Sequence, residues 1–216
     1  MKVGVFGTGM VGQTIGSKLI AVGHEVKLGS RTASNEKGKA WADQAGARAT
    51  HGSFADVARF GELLFNCTPG TASLELLGAA DAENLRDKVL IDVSNPLDFS
   101  KGMPPTLFVG NDDSLGERIQ RAHPELKVVK TLNTVNCEVM VDAGRVAAGD
   151  HTMFLCGNDS EAKASVRELL TVNFGWRDVI DLGDISNARA TEALLPIWVR
   201  LWGLLKTGDF NVKVVR

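Results

Sequence analysis

Residues Lys2-Val3-Gly4-Val5-Phe6-Gly7-Thr8-Gly9-Met10-Val11-Gly12 decide how the rest of the chain is read. Lys2 to Phe6 is an apolar run of strand length, and it meets Gly7, Gly9 and Gly12 at G-x-G-x-x-G spacing. Gln13 to Val22 then carries Ile15, Leu19 and Ile20 at helical spacing, and Gly23 closes that helix. Strand, glycine turn and helix in this order form the phosphate-binding corner of a dinucleotide fold. The first glycine permits the bend, the second lets backbone approach a pyrophosphate, and the third lets helix pack on strand. The helix start turns its unpaired N–H groups toward the phosphates. The chain holds 23 Gly in 216 residues, so the motif draws its weight from the flanking strand and helix rather than from the glycines alone.

The second strand, Glu25 to Leu28, runs into Gly29-Ser30-Arg31, where an NAD-binding unit places an acidic residue. A carboxylate there would accept hydrogen bonds from the ribose 2′-OH and repel a 2′-phosphate. Ser30 and Arg31 instead offer a hydroxyl and a planar charged donor, which favours NADP(H) over NAD. The alternative for Arg31 is a solvated loop arginine.

Further along, a helix is expected from Asn35 to Gln44, a third strand from Ala47 to Thr50 and a helix from Phe54 to Phe60. Glu62 to Asn66 reads as a strand ending in Cys67-Thr68-Pro69-Gly70, with a helix from Thr71 to Ala80. Lys88 to Asp92 is the next strand, ending in Ser94-Asn95-Pro96 before a Gly/Pro-rich loop from Leu97 to Pro105. Ser114 caps a helix through Arg121, and Lys127 to Lys130 is a strand ending in Thr131-Leu132-Asn133-Thr134. Thr152 to Cys156 and Val179 to Leu182 are later strands around a helix from Ser160 to Leu170. The fold class expected is α/β, a Rossmann-type doubly wound, mostly parallel sheet with a short helical C-terminal extension. In such a sheet the loops at Gly7, Ser30, Thr68, Asn95 and Asn133 lie along one edge and converge on one ligand.

Residues 1–182 are read as the NADP-binding domain, and 183–216 as a helix and tail that complete the pocket and supply a dimer interface. In the last helix, Asn187 to Leu205, the residues Leu194, Ile197, Trp198, Leu201, Trp202 and Leu205 form one apolar stripe. That stripe needs a cover: the core, a second subunit or a ligand ring. Pro196 lacks the N–H that would bond the Glu192 carbonyl, so a kink is expected there. Asp209 to Val215 is read as a final strand.

A net charge of −2 and a pI near 6.1 give no basic field of the kind that holds nucleic acid. Leu194 to Leu205 is too short to span a bilayer and carries Arg200. Cys67, Cys137 and Cys156 form no C-x-x-C pair, and four histidines are scattered, so neither disulfides nor a metal site is expected. A start directly on a core strand leaves no secretory signal, and a cytoplasmic protein is expected. The chain contains no tyrosine, which excludes the Tyr-Lys acid of short-chain dehydrogenases. Lys130 and His51 are the conceivable proton donors, although a lysine ending a strand is more often a surface charge or a phosphate contact. Few acids or bases remain, which suits hydride exchange between NADPH and a second redox ring, since both partners carry their own chemistry. A non-catalytic NADP(H) sensor with a protein partner, and a reductase of a small carbonyl or imine, are the alternatives.

Four stretches together resemble the F420-dependent NADP reductase family: Gly7-Thr8-Gly9-Met10-Val11-Gly12, Gly29-Ser30-Arg31, Ile91-Asp92-Val93-Ser94-Asn95, and Asp181-Leu182-Gly183-Asp184-Ile185-Ser186-Asn187-Ala188-Arg189. The oxidoreductase domain of the STEAP metalloreductases is similar too. The resemblance implies a Rossmann-fold NADP(H) enzyme, commonly a homodimer, that passes hydride between nicotinamide and a deazaflavin (F420) or flavin. It implies that Thr8, Met10 and Val11 join the phosphate loop and that Ser30 and Arg31 take the 2′-phosphate. It further implies that Cys67, Thr68 and Pro69 follow the cofactor, with Asn95, Asn133 and Thr134 near the nicotinamide.

Overall fold

The computed structural model describes all 216 residues. Its strands are β1 (Lys2–Phe6), β2 (Glu25–Ser30), β3 (Ala49–Ser53), β4 (Leu63–Asn66), β5 (Val89–Asp92), β6 (Leu97–Asp98), β7 (Thr106–Leu107), β8 (Lys127–Thr131), β9 (Thr152–Gly157) and β10 (Asp178–Asp181). The helices are α1 (Met10–Ala21), α2 (Glu36–Ala45), α3 (Phe54–Phe60), α4 (Ser73–Ala79), α5 (Ala82–Leu85), α6 (Leu115–Ala122), α7 (Cys137–Val141), α8 (Ser160–Glu168), α9 (Ala188–Ala193) and α10 (Leu195–Leu205). Eight strands form one sheet in the order β3-β2-β1-β4-β5-β8-β9-β10, and β6 pairs with β7 in a separate hairpin. The first six strands of the sheet are mutually parallel. Strand β9 then runs antiparallel to β8, and β10 runs parallel to β9. This is a Rossmann-type α/β fold, with strand order reversing between β1 and β4.

Helices cover both faces of the sheet, which is why its central strands β1, β4 and β5 are mainly apolar. Val3, Val5, Leu28, Ile91 and Val129 pack under Ile15 and Leu19 of α1 and Val166 of α8. On the other face, Phe6, Leu64, Leu90 and Val128 meet Val57 of α3, Leu76 and Leu77 of α4, and Ile119 of α6. Helix starts follow their caps. The Asn35 side chain accepts from the Gly38 N–H, Ser53 and Asp56 form a reciprocal capping box, and Ser114 accepts from the Glu117 N–H. No helix is long and apolar enough to cross a membrane.

Several expected boundaries are corrected. The single helix expected from Asn187 to Leu205 is two helices that break at Leu194, and Pro196 stands in the first turn of the second, where a missing N–H costs nothing. The third strand runs from Ala49 to Ser53, later than its apolar residues suggest. The tail from Asp209 to Val215 forms no strand. Thr152 N–H donates to Val212 O, but the Asn211 side chain takes the Thr152 carbonyl that the next rung of a ladder would need. The loop after Pro96 closes into the β6–β7 hairpin.

Candidate active site

At the carboxyl ends of β1, β4, β5 and β8 lies a cleft of about 740 Å³, within the size range of small-molecule pockets. Its walls come from Gly9, Met10 and Val11 after β1, Cys67 to Thr71 after β4, and Val93 to Asn95 after β5. Leu97, Asp98 and Phe99 of the hairpin, Asn133, Val135 and Asn136 after β8, Cys137 and Met140 of α7, and Leu195, Trp198 and Val199 of α10 complete it. Of the loops expected to converge, those after β1, β4, β5 and β8 meet here, where strand order reverses, while the loop at Ser30 does not reach the lining.

The glycine corner divides its work by position. Gly7 has φ +121°, and a Cβ there would stand 2.8 Å from the Cys67 carbonyl oxygen. A Cβ on Gly12 would lie 2.2 Å from the Gly7 oxygen, so α1 can approach β1 only without one. A Cβ on Gly9 would meet nothing within 4 Å: its outer face is open. Gly9 is also the N-cap of α1, whose first turn carries no acidic residue and whose N–H groups receive no capping side chain. That combination is an anion-binding surface. Ser30 and Arg31 stand outside the cleft lining, at the end of β2 beside β1. Ser30 Oγ donates to Thr32 O at 2.6 Å and fixes the turn, while Arg31 is exposed and makes no ion pair. Thr8 precedes the cleft-lining residues, and its carbonyl accepts from Gln13 Nε2 at 3.0 Å.

At the other end, Asn95 and Asn133 face each other. Asn133 Nδ2 donates to Asn95 Oδ1 at 2.9 Å and to Thr191 O at 3.2 Å, and Asn95 Nδ2 donates to Asn133 O at 2.9 Å. Both N–H groups of Asn133 are thereby used. Asn133 Oδ1 and the second N–H of Asn95 make no protein hydrogen bond, leaving one acceptor and one donor free on two residues that line the cleft. Thr134 does not line the cleft; it packs with Leu194, Trp198 and Phe210, and its Oγ1 is buried without a partner. Trp198 stacks on Phe210, ring centroids 5.3 Å apart, and also lines the cleft.

Beneath these loops lies a charged cluster. Lys130 is wholly buried, which corrects its reading as a surface charge or phosphate contact. Its Nζ donates to Asp92 Oδ2 at 2.8 Å and to Ser94 O at 2.6 Å, and forms an ion pair with Glu192 Oε1 at 2.9 Å. Burial acts to lower the Lys130 pKa, but the two carboxylates outweigh it and the pKa is raised. Asp92 Oδ1 also accepts from Asn66 Nδ2 and Ser94 Oγ, and Asn66 Oδ1 accepts from Thr68 Oγ1 on the cleft wall. Glu192 accepts from the Leu115 and Gly116 N–H groups and so caps the start of α6. Nearby, Arg189 forms a two-pronged pair with Glu117 at 2.8 and 2.6 Å.

Among the lining side chains Asp98 is the one carboxylate, and there is no His, Lys, Arg, Glu or Tyr. The Ser100 N–H donates to Asp98 and holds its carboxyl below the ordinary range. Burial, with the Asp92 charge behind it, pushes the Cys67 thiol far up, and burial pushes Cys156 up to about 12. His51 lies in β3 opposite Leu28 and does not reach the cleft. Three contributors escape a reading of the sequence: the hairpin residues Leu97 to Phe99, the Met140 side chain, and Glu192. The apolar setting of Lys130, after Val128 and Val129, is the one hint that its charge is enclosed.

A family model described as NADP oxidoreductase, coenzyme F420-dependent, matches residues 2–96. A crystal structure of a candidate F420-dependent NADP-reductase from Arthrobacter sp. FB24 superposes with a TM-score of 0.94, at 52% identity over 100% of both chains. The F420-dependent NADP reductase of Methanocaldococcus jannaschii is 31% identical over 147 residues, which are 68% of this chain and 64% of that relative. The rat metalloreductase STEAP3 is 28% identical over 201 residues, 91% of this chain but 38% of the relative. The chain thus spans less than two thirds of either of these two relatives.

Proposed function

The chain belongs to the F420-dependent NADP reductase family of NADP-dependent oxidoreductases, and we propose that it transfers hydride between NADP(H) and a flavin-like or deazaflavin (F420) acceptor. The cofactor would lie along the strand ends. The pyrophosphate would take the loop from Gly7 through Thr8, Gly9, Met10 and Val11 to Gly12, and the 2′-phosphate would take Ser30 and Arg31. Cys67, Thr68 and Pro69 would flank its course. The residues fit: Gly9 is open where a phosphate must approach, no acid stands beside Arg31, and the free acceptor and donor of the Asn133–Asn95 pair complement a carboxamide.

When bound, NADPH supplies the hydride from its nicotinamide ring. The observation that carries the choice of acceptor is the composition of the cleft. Its sole carboxylate, Asp98, is held ionised, and the Cys67 thiol is a poor acid. Reduction of a carbonyl or imine calls for a proton donor in the site, whereas exchange between two redox rings calls for alignment and a dry wall. Leu195, Trp198 and Val199 supply that wall. The exposed Ile197, Trp202, Leu204 and Leu205 of α10 would be covered in a homodimer, a proposal that light scattering of the purified protein checks directly.

Mixing the protein anaerobically with NADPH and either F420 or free flavin, and following the nicotinamide absorbance, tests the function. Turnover with one of these rings and none with small ketones or imines is expected. Tight NADPH binding with no turnover on any acceptor would favour a sensor instead.

A further inference from the structure

We propose that the buried Asp92–Lys130–Glu192 cluster is a positioning device that sets the Asn95–Asn133 pair for the nicotinamide end of the cofactor, a role resting on the cofactor reading above. The ammonium of Lys130 binds the Ser94 carbonyl at 2.6 Å, one residue before Asn95, and Lys130 itself stands three residues before Asn133. It therefore controls both loops that carry the pair. Between Lys130 and Asn133, Leu132 is wholly buried at φ +62°, a left-handed conformation that is strained for any residue with a side chain. Such a turn persists only where its surroundings enforce it. From the third side, Glu192 is the neighbour of Thr191, whose carbonyl takes the second N–H of Asn133. Each of the three charged residues is thus adjacent in sequence, or bonded, to a group that orients an amide.

A cluster kept only for stability would be a poor choice. Removing three charges from water is costly, and well-packed neutral groups of the same shape often serve a fold as well or better. What a neutral core would not give is an ammonium held between two carboxylates and the Ser94 carbonyl.

The decisive variant is therefore Asp92→Asn/Lys130→Met/Glu192→Gln, which leaves no buried charge and nearly preserves volume; Glu192→Gln alone is the milder companion. Binding of NADPH would be compared with that of 2′-phospho-ADP-ribose, which lacks the nicotinamide. The expected result is unchanged fragment affinity and NADPH affinity reduced about fivefold to tenfold. Unchanged NADPH affinity in the triple variant overturns the proposal. Equal losses for NADPH and fragment also overturn it, since they mark a general structural role. Parent protein that binds NADPH no better than the fragment would instead refute the placement of the nicotinamide itself.

Discussion

Asn95 and Asn133 lock to one another through two 2.9 Å hydrogen bonds across the ends of β5 and β8. The pair is closed on the protein side and open toward the cleft. Replacing Asn133 by Ala would leave Asn95 Oδ1 and the Thr191 carbonyl without their donor. The expected loss of stability in urea is about 1–3 kcal/mol, accompanied by slower hydride transfer to any acceptor the enzyme accepts. A variant with parental stability would show that water replaces the amide at no cost.

Gly9 and Gly12 separate binding from folding. Gly12→Ala places a methyl 2.2 Å from the Gly7 oxygen, and a loss of about 3 kcal/mol in a denaturant titration is expected. Gly9→Ala meets nothing within 4 Å and should leave stability within about 0.5 kcal/mol. Its NADPH affinity, however, should fall sharply, because the methyl fills the space above the first turn of α1.

Arg31 is exposed and free of ion pairs, so its removal should not trouble the fold. Arg31→Ala is expected to weaken NADPH binding by roughly 1.5–3 kcal/mol, the scale of a charged hydrogen bond, with NADH binding unchanged. Equal weakening of both cofactors, measured by titration of protein fluorescence, would remove Arg31 from 2′-phosphate recognition.

Asp113 is one of the carboxylates that shape the acid limb of stability. Partial burial opposes its charge, but Arg118, Arg121 and the Ser114 N–H together hold its pKa down at about 2, from an ordinary 3.8. A carboxyl whose pKa is lower folded than unfolded adds stability above its unfolded value and loses it as pH falls toward the folded one. Stability should therefore decline between pH 4 and 2, and Asp113→Asn should flatten that decline in acid titrations followed by circular dichroism.

What could be read from sequence follows the range of the forces involved. The corner at Gly7 to Gly12 is local, its strand, turn and helix all within a short stretch, and the structure reproduces it. Parallel strands ending in polar loops gave the cleft, because topology alone brings those ends to one edge. The enclosure of Lys130 was not legible, since it depends on Asp92 of another strand and on Glu192 from the far end of the chain. The split of the last helix was half legible: Pro196 announced a break, but only packing against α6 shows that α9 stops at Ala193.

The break at Leu194 parts two neighbouring helices with different attachments. Helix α9 is fastened inward by Glu192 and Arg189, while α10 contributes Leu195, Trp198 and Val199 to the cleft. Substitutions in the second helix can thus reshape the wall of the cleft while the first keeps its anchorage. The shape of the cleft and the anchorage of the chain beneath it are thus written in separate stretches of sequence and can change independently.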